Sequence, residues 1–206
     1  MRPVEDVLGA GLPPGLEWVV ATLSSSALLG EVRESTRRVS ELVSAVRSYS
    51  QMDRASRQRT AVTEGLESTL VMLGHKIADG VCIVRDYAPD VPAVDAFPGE
   101  LNQVWTNLID NALDAMAGRG TLRVSTRREG DEVVVEVADT GPGMAPEVAA
   151  RAFEAFFTTK DVGEGTGLGL DIARRIVVER HGGQIIIHSD PGNNVMEVRL
   201  PLAQPG

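Results

Sequence analysis

The chain has 206 residues, of which 43% are hydrophobic and 24% charged, so it can bury a core and is neither disordered nor fibrous. At about 150 residues per domain, this length fits one compact domain with an appended segment. With 29 acidic and 20 basic residues the formal net charge is −9, which gives no electrostatic basis for a nucleic-acid partner.

The N-terminal quarter of the chain differs in pattern from the rest. Residues 1–15 are dense in proline and glycine, which predicts a flexible lead-in. The apolar stretch 16–29 is too short to span a bilayer, so we expect no membrane segment in this chain. Residues 31–52 contain no glycine or proline and place valines at heptad spacing, which predicts a helix with an apolar seam. We therefore assign residues 16–56 to a helical segment and expect a homodimer through residues 16–53.

An amphipathic helix packed on its own domain is the alternative explanation for that seam. The lone cysteine, Cys82, excludes an internal disulfide and fits a reducing compartment, so we expect a cytoplasmic protein. Because Cys82 lies in a short apolar run, we also expect it to be buried.

From residue 57 to residue 206, helical and β-type patterns alternate, which predicts a mixed domain of helices and strands. The predicted helices cover 64–73, 98–116 and 168–180, and the predicted strands cover 81–87, 94–97, 121–128, 132–139, 184–189 and 194–201.

The helix predicted over 98–116 begins with a first-turn proline and repeats apolar residues at helical spacing. Glu100, Asn107, Asn111 and Asp114 fall together on the opposite face. Magnesium commonly binds one or two protein oxygens together with nucleotide phosphates, so an asparagine on this face could hold it. A solvated polar surface is the alternative explanation of this face taken alone.

A strand predicted to end at Asp139 leads into a glycine-rich turn, Asp-Thr-Gly-Pro-Gly over residues 139–143. A carboxylate at that point can accept a hydrogen bond from an exocyclic amine, and the glycines let a ligand ring approach the backbone. The same pattern is also common in ordinary turns.

Residues 163–170, Gly-Glu-Gly-Thr-Gly-Leu-Gly-Leu, lead into the next predicted helix. Backbone N–H groups freed at a helix start favour a phosphate, and no Lys-Ser/Thr follows as in a Walker A loop. The preceding segment, Phe-Glu-Ala-Phe-Phe-Thr-Thr-Lys over residues 153–160, ends in Lys160, which could reach a phosphate. We expect Phe153 and Phe156 to pack as its apolar anchors.

In this order, the four motifs resemble those of the ATP-binding catalytic domain of bacterial sensor histidine kinases, within the wider Bergerat-fold ATPases. Residues 100–116 look like the family's N box, 139–143 like its first glycine box, 153–160 like its F box and 163–170 like its second glycine box. The resemblance implies an α+β fold, a two-layer α/β sandwich whose mixed, mainly antiparallel sheet carries helices on one face, preceded by a helical dimerisation segment. Residues 31–53 resemble, less specifically, the second helix of the family's dimerisation hairpin.

The resemblance also implies how ATP and Mg²⁺ would bind. Asn111 would ligate magnesium, Asn107 would support the phosphates, and Asp139 would bind the adenine amine. Asn107 and Lys160 would be the catalytic pair, with Lys160 in a mobile lid. The full set of implied nucleotide contacts is Asn107, Asn111, Asp114, Asp139, Gly141, Gly143, Thr158, Thr159, Lys160, Gly165, Thr166, Gly167, Leu168 and Gly169.

One departure concerns the phosphoryl acceptor. Kinases of this type carry a helix with His-Glu/Asp followed by Asn-Pro, and this sequence has no such segment. His75, His181 and His188 are all expected to be structural. We therefore expect a protein-histidine kinase region that transfers the γ-phosphoryl of ATP to a histidine absent from this chain. Its expected partners are an upstream phosphoacceptor helix, of the same protein or its dimer mate, and a response regulator.

Two alternatives to a kinase stay open. An ATP-hydrolysing switch like the gyrase relatives would carry a water-activating glutamate where Asn107 stands, so the missing base argues against it. A nucleotide-sensing dimerisation module would bind ATP without transferring its phosphoryl group. The absence of an acceptor histidine leaves this hypothesis open.

Overall fold

The computed structural model describes residues 56–160 and 165–202, together with Thr22, Leu23, Ser25 and Leu28, which are helical. Nearly all of the lead-in and of the expected dimer segment lies outside the described residues, as do residues 161–164 of the expected lid. Within the described ranges, none of the helices combines the length and apolar character that a bilayer crossing requires.

Every helix and strand expected from the sequence between residues 57 and 202 is present. The elements are β1 (Gln58–Thr60), α1 (Val62–Met72), a 3₁₀ turn (Leu73–Lys76), β2 (Gly80–Tyr87), β3 (Val94–Ala96), α2 (Pro98–Met116), β4 (Arg119–Glu129), β5 (Glu132–Asp139), α3 (Pro146–Arg151), α4 (Gly169–Arg175), a π-helical turn (Ile176–Arg180), β6 (Gln184–Asp190) and β7 (Asn193–Pro201). The sequence did not predict β1 and α3, because each is too short to show a periodicity.

Five strands form one mixed sheet in the order β2-β4-β5-β7-β6. Strand β2 runs parallel to β4, and the other neighbouring strands are antiparallel. Strands β1 and β3 form a separate antiparallel pair. The expected α+β architecture with a mainly antiparallel sheet is therefore confirmed.

Helix α2 lies against β4 and β5, with α1 and α4 packed beside it. Its buried apolar stripe consists of Leu101, Val104, Trp105, Leu108, Ile109, Ala112, Leu113 and Met116. Full burial of one such aliphatic or aromatic side chain stabilises by about 1.5–3 kcal/mol. The stripe therefore fixes which face of α2 meets the sheet and leaves Asn107 and Asn111 half-buried at its edge.

The sheet face turned away from the helices carries charged side chains. Register places Val134 between Arg127 and Arg199, and these arginines pair with Glu136 at 2.5 Å and with Glu197 at 2.6 Å. The expectation that Cys82 is buried is wrong, since Cys82 is exposed. It lies on the edge strand β2, where its neighbours in sequence pack against the core instead.

Buried polar groups join the start of α2 to the end of the π-helical turn. The Nδ1–H of His181 donates to the Ile176 carbonyl at 2.8 Å, and its Nε2 accepts the Phe97 backbone N–H at 3.1 Å. Glu100 is 7% exposed and pairs with Arg180 at 3.2 Å. His181 is structural, as expected, whereas Glu100 does not share an open polar face with the asparagines, because Arg180 reaches back over the first turn of α2.

Candidate functional site

A cavity opens between the second half of α2 and the strand ends of β5 and β7. It is lined by Leu108, Asn111, Ala112, Ala115, Val137, Asp139, Gly143, Met144, Asn194 and Met196. The cavity has apolar walls with a few polar groups, the usual composition of a site for a flat organic ring. It brings together Asn111 and Asp139, the residues for which the family resemblance implies contacts to magnesium and to adenine.

The carboxylate of Asp139 is held in one orientation. Its Oδ1 accepts the backbone N–H of Gly141 at 2.8 Å and the Nδ2 of Asn194 at 2.9 Å. Among the residues that the structure describes, no hydrogen bond uses its Oδ2. One carboxylate oxygen therefore serves the protein, and the other can accept a hydrogen bond from a ligand amine.

Asn194 is a site residue that sequence reasoning missed. Its side chain is buried, it faces Asp139 in the β5–β7 register, and its Oδ1 accepts the Ser189 hydroxyl at 2.7 Å. The Met144 N–H in turn donates to the Ser189 oxygen at 2.7 Å. From the sequence alone, Asn194 is predicted to end the turn after Gly192. Only the pairing of β5 with β7 could have identified it as a partner of Asp139.

The two glycines after Asp139 leave room for this network. A Cβ on Gly141 would lie 2.7 Å from the Asp139 Oδ1, and one on Gly143, where φ is +85°, would lie 2.9 Å from the Asn194 Oδ1. Any larger residue would displace the carboxylate or the amide. The glycines therefore protect the orientation of Asp139, and Gly143 also lines the cavity.

Asn107 lies one helical turn before Asn111 and presents an unused donor. Its Nδ2 is buried without a hydrogen-bond partner in the described structure. A buried donor left unpaired costs about 1–3 kcal/mol, so an acceptor at this point is favoured. The position of a Cβ on Gly169 lies 3.5 Å from the Asn107 Oδ1, which brings the start of α4 directly over this amide.

The described part of the glycine-rich loop, residues 165–169, crosses closely over the phenylalanine segment. A Cβ on Gly167, where φ is +65°, would lie 2.4 Å from the Phe156 carbonyl carbon, and the Phe156 N–H donates to the Gly167 carbonyl at 2.9 Å. The Leu168 N–H approaches the Thr166 hydroxyl oxygen at 3.4 Å. These contacts hold the loop against the phenylalanine segment.

The expectation that Phe156 anchors its segment is wrong. Phe156 is 72% exposed and adopts a φ of +66°, and its backbone lies against Gly167. Phe157 is half-buried instead, with the Arg151 guanidinium 4.3 Å from its ring centroid. Thr158 accepts the Lys160 N–H at 3.2 Å.

Lys160 and Asp114 meet across the mouth of the site. The Lys160 ammonium lies 2.5 Å from the Asp114 carboxylate, and the Lys76 ammonium lies 3.8 Å from the other oxygen of that carboxylate. Thr159 is exposed beside them. Of the residues predicted to contact the nucleotide, Asn111, Asp139 and Gly143 line the cavity. Asn107 and Gly169 lie against each other, and Asp114 holds a lysine.

No group of three or more His, Cys, Asp or Glu side chains in residues 56–160 and 165–202 is arranged to hold a metal ion. A magnesium ion here would bind through an amide oxygen and through phosphate oxygens, as is common for this ion. The donor set fits, because Asn111 lines the cavity and the unpaired Asn107 donor suits a neighbouring phosphate oxygen.

Residues 98–204 match the family model described as histidine kinase-, DNA gyrase B- and HSP90-like ATPase. The sensory histidine kinase/phosphatase NtrB of Rhodobacter capsulatus is 30% identical over 89% of this chain and 56% of its own length. The sensor kinase CckA of Brucella abortus is 32% identical over 82% of this chain and 20% of its own length. The chain thus spans little more than half of the one relative and a fifth of the other.

Solved structures of histidine kinases are also similar to this chain. The catalytic domain of histidine kinase ThkA has a TM-score of 0.66 and 28% identity, covering 71% of this chain and 96% of that chain. Full-length ShkA in complex with AMPPNP has a TM-score of 0.71 and 26% identity, covering 88% of this chain and 39% of that chain.

Proposed function

The chain belongs to the family of histidine kinase-, DNA gyrase B- and HSP90-like ATPases, and from that premise we propose that it is the MgATP-binding catalytic region of a sensor histidine kinase. It would transfer the γ-phosphoryl of ATP to a histidine on a separate segment. The observation that carries this proposal is that Asp139 and Asn111 line one cavity, while the unpaired Asn107 amide lies one helical turn before Asn111.

The base end of the proposed site would recognise adenine. The exocyclic amine of adenine can donate to the free carboxylate oxygen of Asp139, whereas guanine would present a carbonyl oxygen there. Leu108 and Met196, among the apolar lining residues, would cover the faces of the ring. Asn194 keeps the carboxylate in its orientation through the 2.9 Å hydrogen bond to Oδ1.

The phosphate end would lie between α2 and the start of α4. The Asn107 amide would donate to a phosphate oxygen, and the backbone N–H groups at the start of α4 would add further donors. Asn111 would hold magnesium, which when bound neutralises phosphate charge during transfer. Phosphoryl transfer needs mainly positioning and charge stabilisation, so this set of donors suffices without a covalent nucleophile.

Direct hydrolysis of ATP is the less favoured activity. An amide cannot remove a proton from water, and Asn107 occupies the place where the hydrolytic relatives carry a glutamate. Both ring nitrogens of His181 are engaged in hydrogen bonds, so this histidine is not available as a base or an acceptor. The acceptor is therefore sought outside this chain, on an upstream helix of the same protein or its dimer mate.

The remaining proposals follow from the same assignment. The names of the relatives indicate sensor kinases, so a response regulator is the proposed recipient of the phosphoryl group. The apolar seam in residues 31–52 supports a homodimer through residues 16–53, and we propose a cytoplasmic location for the chain.

The test measures binding and transfer separately. Calorimetric titration of the full chain with MgATP should show one site, and incubation with labelled ATP should leave the chain itself unlabelled. Adding a separate polypeptide with a His-Glu/Asp…Asn-Pro helix should give an acid-labile label on that polypeptide, slowly, because docking is no longer intramolecular.

Each result has a distinct meaning. No MgATP binding would refute the proposed site, and stoichiometric acid-labile label on the chain alone would refute the external acceptor. Binding without transfer to any acceptor helix would favour a nucleotide-sensing module.

A further inference from the structure

Helix α2 and the loop side of the site approach each other at two points. At the first point, Gly169 stands over Asn107. At the second, Lys160 reaches Asp114 with 2.5 Å between ammonium and carboxylate. Asn111 lies between these two points along α2, so a phosphate chain bound at Asn107 and Asn111 would lie beside the Lys160–Asp114 ion pair.

The Lys160 side chain runs from the glycine-rich loop to α2. A Cβ on Gly165 would lie 3.2 Å from the Lys160 Cδ, so the stem of the lysine runs beside the glycine-rich loop. Its ammonium ends on α2. The only cation that the phenylalanine segment offers to a phosphate is therefore bound to a carboxylate in the described residues.

A second lysine lies behind the same carboxylate. Lys76 pairs with Asp110, and its ammonium is 3.8 Å from the Asp114 Oδ1. The side chains of Asp114 and Lys160 are about one-third exposed, at 35% and 33%, so water screens this ion pair and keeps its strength modest. A pair of this strength can be exchanged for a better partner.

We propose that ATP binding exchanges the partner of Lys160: in the nucleotide-free protein Asp114 holds the lysine, the phosphates of ATP take it, and Lys76 then neutralises the Asp114 carboxylate. This inference rests on the proposed MgATP site. Asp114 is then a residue that competes with the nucleotide for Lys160 and lowers the affinity for ATP. It is not itself a contact to magnesium or to the phosphates.

A double-mutant cycle on the full chain tests the exchange. MgATP affinity is measured by calorimetry at constant ionic strength for the parent, Asp114→Asn, Lys160→Met and the double variant. Asp114→Asn should tighten MgATP binding about two- to fivefold, the range expected for release of an exposed ion pair. Lys160→Met should weaken binding, and in that background Asp114→Asn should lose its gain, because no lysine remains to be released.

Asp110→Asn in a Lys76→Met background is the matched control, since it removes the same charge from the same helix and cannot act by releasing Lys76 toward Asp114. Weaker MgATP binding by Asp114→Asn would overturn the proposal in favour of a direct contact. If Asp114→Asn raised the MgATP affinity equally in the Lys160→Met background, or if Asp110→Asn raised it equally in the Lys76→Met background, the effect would come from net charge alone. Either result would also overturn the proposal.

A measurement without nucleotide separates this inference from the proposed function. Labelling of lysines by an amine-reactive reagent, read by mass spectrometry, should modify Lys160 faster in Asp114→Asn than in the parent. Equal rates would overturn the ion-pair step even if MgATP binds. Faster labelling in a chain that does not bind MgATP would leave the pair in place and refute only the nucleotide site.

Discussion

The two ends of helix α2 are built in opposite ways. At its start, His181 uses both ring nitrogens and Glu100 is paired with Arg180. In its second half, the amide of Asn107 has no partner within the described structure, and Asp139 has a carboxylate oxygen to spare. One helix therefore joins a region where polar groups are satisfied to a region where they are left open.

This difference separates the sources of stability and of binding. A buried donor without a partner lowers the stability of the ligand-free protein, so it is tolerated where a ligand will supply the acceptor. The satisfied end is the start of α2, where His181 and Glu100 have hydrogen-bond or ion-pair partners. It holds the orientation of α2 and so sets the positions of Asn107 and Asn111. Substitutions at the first end should change the free energy of unfolding, and substitutions at the second should change affinity.

The largest effect is expected at the satisfied end. His181→Ala should lower the free energy of unfolding by about 3 kcal/mol, because it opens a cavity and strips the Phe97 N–H and the Ile176 carbonyl of their partner. Urea denaturation measures this. His188→Ala, at an exposed position, should change stability by no more than about 0.5 kcal/mol. Equal losses in the two variants would contradict the contrast between the ends.

The next effect concerns adenine recognition. Asp139→Asn keeps an oxygen for the Gly141 N–H and the Asn194 amide but presents a donor to the adenine amine. ATP affinity should fall by about 2 kcal/mol, or about thirtyfold, with little change in stability. Because an amide can donate to the guanine carbonyl, competition by GTP should improve relative to ATP. Unchanged selectivity between ATP and GTP would make Asp139 a turn residue only.

Magnesium binding should show a somewhat smaller effect. Asn111→Ala removes the amide oxygen from the cavity wall while leaving the apolar stripe of α2 untouched. MgATP affinity should fall at least about tenfold, or 1.4 kcal/mol, by calorimetry. In the presence of a chelator, parent and variant should bind ATP with nearly equal affinity. If parent and variant bound MgATP with equal affinity in the presence of magnesium, Asn111 would not be a magnesium ligand.

The open end of α2, where Asn107 and Asp139 have unused polar groups, could be predicted from the sequence because the patterns that indicate it are local. The 3-4-3-4 apolar spacing predicted α2 and its buried face, and the two glycine-rich motifs singled out Asp139 and the proposed phosphate loop. These features need only residues near each other in the chain. The five-stranded sheet followed from the alternation of patterns and the resemblance.

The satisfied end and the support of Asp139 could not be predicted, because they depend on contacts between distant residues. Glu100 meets Arg180 only when the π-helical turn packs against the start of α2, and Asn194 meets Asp139 only when β5 and β7 pair. Phe156 was misjudged for a similar reason, since its backbone pairs with Gly167 of the later loop while its side chain is exposed. An apolar side chain predicts burial on average, whereas a backbone contact from a distant loop decides the individual case.

The smallest predicted effect is a pH dependence at the satisfied end. Burial lowers the pKa of His181 below its ordinary value, the nearby Arg57 and Arg180 act in the same direction, and the hydrogen bond to Ile176 and the charge of Glu100 oppose this. Just below about pH 6.5, the unfolded chain binds a proton that the folded chain does not. The free energy of unfolding should therefore fall as the pH is lowered through that window.

A single proton can change the free energy of unfolding by at most about 1.4 kcal/mol per pH unit, which over the unit below about pH 6.5 places this effect after the other predictions. Urea denaturation from pH 7.5 down to pH 5.5 measures it, with the slope of His181→Gln as the reference and His188→Gln as the control. The parent and His188→Gln should lose stability more steeply than His181→Gln. A protonated ring has no acceptor to offer the Phe97 N–H. Parallel slopes would therefore show that protonating His181 costs no free energy of folding, and that its Nε2 does not accept the Phe97 N–H.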